Sequence, residues 1–457
     1  MAKNLSDYKK IHFIGIGGIS MSSLAEILLS KDFKVEGSDG VASAVTESLE
    51  KLGIKVNIGQ RAENIASDTD LAVYTAAIPE DNPELMAARA MGIDVIDRAE
   101  LVGMIMLKYK HPISVAGTHG KTTTSSMVSE IFMAAGLDPT VSIGGMLPSI
   151  GGNYRVGGMD YFVLESCEYR DSFLKFNPHS AIILNIDRDH TDYFKTMEQM
   201  YSSYNKFVKR IAEGGFLVIN KDIPDLEKVL EDYDGEVITY GKAVDAQWHA
   251  ENISYDEFGH GRYTAVFKGD KIARVELSIP GEHNVYNSLA AFALAHRYGL
   301  PTDAILKGIK HYSGTDRRFQ YKGSFNGVKV IDDYAHHPTE IKATINSARK
   351  NNPKTLWICF QPHTYTRTYD LLDEFANALS GADKIVLIDI YASREKDTHL
   401  VSSADLRDKI AALGTEVYYI PTMEEAEKFL KENCNPQDML ITMGAGDVYK
   451  LGENIVK

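Results

Sequence analysis

Residues 113–116 read as a short strand, and Gly117-Thr118-His119-Gly120-Lys121-Thr122-Thr123-Thr124 follow at once. A strand, a glycine-rich turn and a helix start, in that order, aim backbone N–H groups and the positive end of a helix at an anion. The chemistry is nucleotide-phosphate binding. Gly117, Thr118, His119 and Gly120 form the turn, Lys121 reaches the terminal phosphates, and Thr122, backed by Thr123, presents a hydroxyl to Mg2+. The general pattern G-x-x-x-x-G-K-[ST] fails, because Val115 holds its first position and the glycine stands at 117. What remains is a tighter G-T-x-G-K-T form. An ordinary strand-to-helix turn is the alternative, but the helix after it is well formed: Met127, Ile131 and Ala135 recur at i, i+4 and i+8, and Gly136 caps it.

Two more apolar runs end in polar chemistry. Residues 161–164 lead to Glu165, and 181–186 lead to Asp187-Arg188-Asp189-His190. Ligands of an open parallel sheet sit at the carboxyl ends of its strands. If these strands are neighbours, Thr122, Glu165 and His190 converge on one metal–phosphate site. Oxygen ligands suit Mg2+, and imidazole is a less usual partner, so His190 acting through a bound water is the alternative. Taken singly, Glu165 reads as well as a solvated strand end and His190 as a polar loop residue. Further on, Asn284 and Asn287 precede a helix over 288–298 and share one face. Two amides there suit a purine edge or a ribose; helix caps are the alternative.

These residues need elements to hold them, and the chain supplies three βα stretches. Residues 11–14 form a strand, Gly15-Ile16-Gly17-Gly18 turn, Ser20 opens a helix with Met21, Leu24, Ile27 and Leu28 inward, and 34–37 form a strand ending in Ser38-Asp39. That is the outline of a dinucleotide-binding unit with its acid, Asp39, at the right distance. Ser20, however, stands where the third glycine of G-x-G-x-x-G belongs, which favours another phosphate ligand over NAD. Strands at 71–75 and 93–96 complete this part. Residues 215–280 hold a strand and then alternating apolar positions, which predicts an antiparallel appendage to the central part. From about Ser313 a new βα series begins, and again each strand ends in polar residues. Residues 328–331 lead to Asp332-Asp333-Tyr334-Ala335-His336-His337, with Pro338 in the first turn of the next helix. Residues 355–360 lead to Gln361-Pro362-His363-Thr364-Tyr365-Thr366-Arg367, 384–390 to 391–395, and 439–443 to Gly444-Ala445-Gly446-Asp447. Zinc at His336, His337 and His363 finds no H-x-x-x-H spacing and no cysteine partner.

Composition sets the bounds. A chain of 457 residues with 44% hydrophobic content predicts about three domains with real cores. A net charge of −14 argues against nucleic acid or an anionic membrane as the main partner. Three scattered cysteines, no signal-peptide h-region after Lys9-Lys10 and no long apolar run predict a cytoplasmic protein.

Taken together, the pieces resemble the Mur ligase family, which adds amino acids to the cell-wall precursor. The matching stretches are 15–21, 117–124, 165–173, 185–190, 281–287, Arg317-Arg318-Phe319, 332–340, 361–368 and 444–447, spanning nearly the whole chain. The resemblance is nearest to members that join L-alanine to UDP-N-acetylmuramate. It implies an α/β fold of three domains: a Rossmann-like UDP-sugar domain (1–107), a central P-loop ATPase domain (108–314) and a C-terminal Rossmann-like domain (315–457) that closes on ATP and the amino acid. It implies ATP and Mg2+ as cofactors and an acyl-phosphate route to the peptide bond in peptidoglycan synthesis. By the same resemblance, Gly15, Gly17, Gly18, Ile19 and Asp39 hold the UDP-sugar, Lys121 the ATP phosphates, and Thr122, Glu165 and His190 the metal. Asn284 and Asn287 lie at the adenine, Arg318 at the phosphates and Asp333 at the ribose. His336, His363 and Arg367 form the amino-acid pocket, and Lys121, His190 and Arg318 carry the catalysis. One departure stands out: some members carry arginine directly after the histidine of Q-P-H, and this chain has Thr364. The rival readings are a recycling ligase that joins a tripeptide to the same sugar, an NAD-dependent oxidoreductase using the N-terminal glycines, and a non-catalytic UDP-sugar sensor.

Overall fold

The computed structural model describes residues 4–75, 77–256, 258–393, 395–397 and 399–457, which form three sheets in chain order. Arg394, in the polar run expected after residue 390, lies outside the described residues. The first sheet holds β1 (Lys10–Ile14), β2 (Lys34–Asp39), β3 (Lys55–Ile58), β4 (Leu71–Tyr74) and β5 (Asp94–Asp97). All are parallel, in the order β3-β2-β1-β4-β5. The second holds β6 (His111–Ala116), β7 (Thr140–Leu147), β8 (Gly152–Arg155), β9 (Tyr161–Glu165), β10 (Ser180–Ile183), β11 (Phe216–Asn220), β12 (Glu236–Gly241), β13 (Trp248–Tyr255), β14 (His260–Phe267) and β15 (Asp270–Pro280). Its order is β15-β14-β13-β12-β11-β10-β6-β9-β7-β8. The expected antiparallel appendage is β13-β14-β15. The third holds β16 (Gln320–Phe325), β17 (Val328–Asp333), β18 (Leu356–Phe360), β19 (Lys384–Leu387), β20 (Glu416–Tyr419) and β21 (Met439–Met443), in the order β16-β17-β21-β18-β19-β20.

Alternation along each buried strand feeds two cores, because successive side chains point to opposite faces. On β10, Ala181 and Ile183 join one cluster and Ile182 the other. On β18, Leu356, Ile358 and Phe360 face one side and Trp357 and Cys359 the other. The seams between sheets differ in kind. The helix Arg98–Met106 packs Leu101, Val102, Ile105 and Met106 into the same cluster as Phe162, Leu164 and Phe173, so apolar packing joins the first sheet to the second. Among the described residues, the clusters of the third sheet include none from the second. That seam is made of ion pairs and hydrogen bonds, the kind of contact that opens more readily than an apolar core.

Several elements depart from their sequence reading: the strand read over 384–390 ends at Leu387, and two others bear on the site. The strand read over 181–186 leaves the ladder after Ile183, because residues 184–186 turn to hold the glycine loop instead. The helix read over 288–298 begins at Glu282, since Gly281 turns the chain at φ 105° and Asn284 bonds back to the Pro280 carbonyl at 2.7 Å.

Candidate active site

The strands whose ends carry the chemistry are neighbours: β10, β6 and β9 lie side by side and parallel. At the end of β6 the loop is clamped by Asn185. Its Oδ1 accepts from the His119 N–H at 2.8 Å, its Nδ2 donates to the His119 carbonyl at 3.0 Å, and its own carbonyl accepts from Thr118. Gly120 sits at φ 84° as the N-cap of the helix Lys121–Ala134, and a Cβ there would fall 2.8 Å from Asn287 Oδ1. Only glycine lets the loop approach the asparagine face so closely. Asn287 in turn donates to Asn284 Oδ1 at 3.0 Å, so the two amides share one face as their spacing predicts.

Two carboxylates flank the loop. Glu165 Oε2 accepts from the Thr122 hydroxyl and from the Gly144 N–H, both at 2.8 Å. Glu168, within the matching stretch 165–173 but given no role of its own there, is fully buried, with Oε2 3.2 Å from Lys121 Nζ. Lys121 also donates to the Gly117 and Thr118 carbonyls. Burial works against its charge, but Glu168 outweighs that and holds the ammonium above the usual lysine range. Glu168 Oε1 has no hydrogen-bond partner among the described residues, and His190 Nε2 lies 3.8 Å from it. Thr122 and Glu165 therefore meet as expected, whereas His190 pairs with Glu168 rather than with Glu165. His190 has φ 51°, uncommon for a residue other than glycine, and Tyr169 packs against its ring at 4.6 Å. No group of three His, Cys, Asp or Glu side chains converges as a ready metal cage among the described residues.

The third sheet closes the site from the other side. A pocket of about 230 Å3 is lined by His119, Gly120 and Thr123 from the loop, Asn284 and Asn287 from the helix Glu282–Arg297, and Arg318 and Asp333 from the third unit. Of the arginine pair, Arg317 is structural: it bonds Asp332 and the Gly444 and Gly446 carbonyls. Arg318 is the one turned to the pocket, 3.9 Å from Glu340. Arg317 and Phe319 on either side are left-handed, at φ 62° and 50°. Asp333 accepts from the Phe319 and Ala335 N–H groups at 2.8 Å, and burial pushes its carboxyl up to about 6 against the pull of Arg318. Glu340, the last residue of the matching stretch 332–340, ties the halves together: it faces His119 Nδ1 at 3.3 Å and His336 Nδ1 at 3.3 Å. It stands at the third position of the helix Pro338–Arg349, three residues after an N-capping His337.

His119 also meets Asp187 at 3.1 Å. Burial pulls its imidazole down, but the two carboxylates override that and raise it to about 9 from 6.5. A raised folded value gives stability that is full below about pH 6.5 and lost as pH rises through about 9. His119→Gln should therefore flatten the fall in apparent Tm between pH 6.5 and 9.5, relative to the wild type. Equal falls in both proteins would rule this out.

The expected amino-acid trio does assemble: the His336 and His363 rings are 6.0 Å apart, and Arg367 Nη1 is 3.4 Å from His363 Nδ1. Arg367 is not an open clamp, however. Its Nε and Nη2 both donate to Asp189 Oδ1, at 3.1 and 2.9 Å. Sequence could not show this, because 178 residues separate the partners. Thr364, where an arginine was possible, takes φ 66° at the start of the short helix Tyr365–Asp370.

At the N-terminal loop, the Gly15 and Ile16 N–H groups donate to the Ser38 carbonyl, and Gly17 N–H donates to Asp39 Oδ2 at 2.9 Å. Asp39 thus braces the loop, while Gly18 caps the helix Ile19–Leu29 and Ile19 stands exposed. The helix starts one residue before Ser20. Arg98, missed in the sequence, is half-buried, with Nη1 3.0 Å from Ser20 Oγ and no carboxylate in ion-pair range among the described residues. Burial lowers its pKa.

The fold and site define a class: a P-loop α/β unit flanked by two further α/β units, with a pocket shared between the second and third. Sequence profiles agree along most of the chain. Residues 10–110 match "Mur ligase family, catalytic domain", 115–295 match "Mur ligase middle domain", and 317–446 match "Mur ligase, glutamate ligase domain". The chain is 54% identical over 448 residues to a UDP-N-acetylmuramate–L-alanine ligase of Lachnospira eligens, covering 98% of each, and 51% identical to one from Agathobacter rectalis, covering 98% of this chain and 97% of that one. A crystal structure of UDP-N-acetylmuramate–alanine ligase from Thermotoga maritima superimposes with a TM-score of 0.81 at 29% identity, covering 98% of both chains. The chain belongs to the Mur ligase family.

Proposed function

We propose that this chain is the ATP-dependent ligase that joins L-alanine to the lactyl carboxylate of UDP-N-acetylmuramate in peptidoglycan precursor synthesis, in the cytoplasm. The observation that carries it is the shared pocket, where the loop, the asparagine face, Arg318 and Asp333 at the end of β17 meet. The names of the full-length relatives support the substrates. The proposed division of labour is residues 1–107 for the UDP-sugar, 108–314 for ATP and 315–457 for the amino acid and closure. No helix among the described residues is long and apolar enough to cross a membrane.

Mg2+ fits the residues present. Thr122 and Glu165 pair hydroxyl to carboxylate, and the unpartnered Glu168 Oε1 lies beside His190, leaving a hard-oxygen donor set. When bound, Mg2+ neutralises charge on the transferring phosphoryl group. In the first step the lactyl carboxylate oxygen attacks the γ-phosphorus and the bond to ADP breaks, giving an acyl phosphate. Lys121 and Arg318 stabilise the charge spread over the transferring oxygens by position and electrostatics. In the second, the neutral amine attacks the acyl carbon, the tetrahedral intermediate collapses, and phosphate leaves as hydrogen phosphate, carrying the proton that the nitrogen gives up. Burial pushes His336 down to about 3, so it is neutral and too weak a base for the amine proton at neutral pH. Closure of the polar seam excludes the water that would hydrolyse the acyl phosphate.

Phosphate release with UDP-N-acetylmuramate and each amino acid, with product mass, tests the reading. L-alanine should be used best, with glycine and L-serine poor. Efficient ligation of a tripeptide would make the chain a recycling ligase, and absence of ATP turnover would leave only a sensor. Glu165→Gln keeps shape but removes charge, so half-saturation should need about tenfold more Mg2+ or above; an unchanged magnesium titration would remove Glu165 from the metal site.

A further inference from the structure

Arg367 and Asp189 already satisfy one another where a substrate carboxylate is expected. One Asp189 oxygen accepts two guanidinium N–H groups, at 3.1 and 2.9 Å, and the His190 N–H at 2.7 Å. Both side chains are nearly buried, at 7% and 12% exposure. None of the hydrogen bonds among the described residues uses Asp189 Oδ2. The pair spans the polar seam, with Asp189 after β10 beside His190 and Arg367 after β18 beside His363.

We propose that this ion pair is the receptor for the amino acid as a zwitterion, the α-carboxylate taking Arg367 and the α-ammonium taking Asp189. The inference rests on the reading of Arg367 as part of the amino-acid pocket and adds Asp189 to it. A bare carboxylate that displaces Asp189 gains one ion pair and strands a buried charge, a costly exchange. A bare amine strands Arg367 in the same way. An α-amino acid replaces both partners at once, because its two charges sit one carbon apart in the complementary order. Recognition therefore rejects carboxylates and amines by leaving a buried charge unpaired, and accepts only the molecule that carries both. The insertion also delivers the nitrogen to the His190 side of the seam before its proton is lost.

The test is Asp189→Asn in the full-length enzyme, which keeps the shape and the oxygen that accepts the His190 N–H. Three quantities are read: KM for L-alanine, the inhibition constant of propionate (the same skeleton without the ammonium), and KM for ATP. The KM for L-alanine should rise about 10- to 100-fold, the range for a lost charge-assisted hydrogen bond. Propionate should bind more tightly, because Arg367 no longer holds a charged competitor. KM for ATP should stay within about twofold. The opposite signs are the signature; a latch that only holds the fold moves both ligands the same way, and that result overturns the proposal. A lower KM for L-alanine also overturns it, since Asp189 would then only compete. Arg367→Gln separates the two failures. If it raises the KM for ATP and spares that for L-alanine, the pocket reading itself fails. If it raises the KM for L-alanine while Asp189→Asn does not, only the zwitterion receptor fails. Thermal unfolding checks that Asp189→Asn is folded, and Asp189→Ser gives the same readouts if it is not.

Discussion

Lys121→Ala is expected to lower kcat by about 10²- to 10³-fold or more, the scale for removing one preorganised charge from a transition state. Sequence alone makes this a fold-neutral change, with the side chain aimed at ligand. The structure says otherwise: the ammonium folds back onto its own loop and compensates a fully buried Glu168. Removing it leaves that buried carboxylate with only His190, 3.8 Å away, in place of its ammonium partner, and breaking such a pair costs about 3–5 kcal/mol. Lys121→Ala should therefore also lower apparent Tm. Adding Glu168→Gln should restore Tm but not kcat, because the amide needs no counter-charge and the phosphates still lack theirs. A single variant with near wild-type turnover would remove Lys121 from the phosphate site.

Arg318→Ala is expected to lower kcat by about 10³-fold or more, as for an arginine supplied to a transferring phosphoryl group from a separate unit. Arg318 is carried by the third unit but lines the pocket beside the loop of the second. Its loss should act on turnover more than on ATP affinity, because the charge is needed most as the phosphoryl group transfers. Arg318→Lys should recover only part of the activity, since a point charge lacks the planar fork. Unchanged kcat in Arg318→Ala, measured at saturating ATP and UDP-N-acetylmuramate, would show that closure does not bring this residue to the phosphates.

Legibility in the sequence followed the range of the interaction. The glycine loop, the Asn284–Asn287 face, the Pro338 helix start and the polar strand ends are local, written in consecutive residues by steric and hydrogen-bonding rules, and the structure places them where those rules put them. Strand ends and helix starts shifted by a few residues where a tertiary partner captured the backbone, as at residues 184–186. Arg98 was silent, and Glu168, Asp187 and Glu340 stood in the matching stretches without a role of their own, because an acid or arginine near a loop is ordinary until its burial and partner are known.

By itself, then, the sequence determined the α/β series, the phosphate loop and the residue types gathered at the strand ends, since periodicity and turn chemistry need no distant contact. Only the tertiary structure decided the pairings. It set β6 between β9 and β10, tied Lys121 to Glu168, joined His119 to Glu340 across the seam, and placed Asp189 on Arg367. Those choices depend on which charges are buried together at long sequence separation, and the free energy of a charge is set by its dielectric surroundings and its counter-ion.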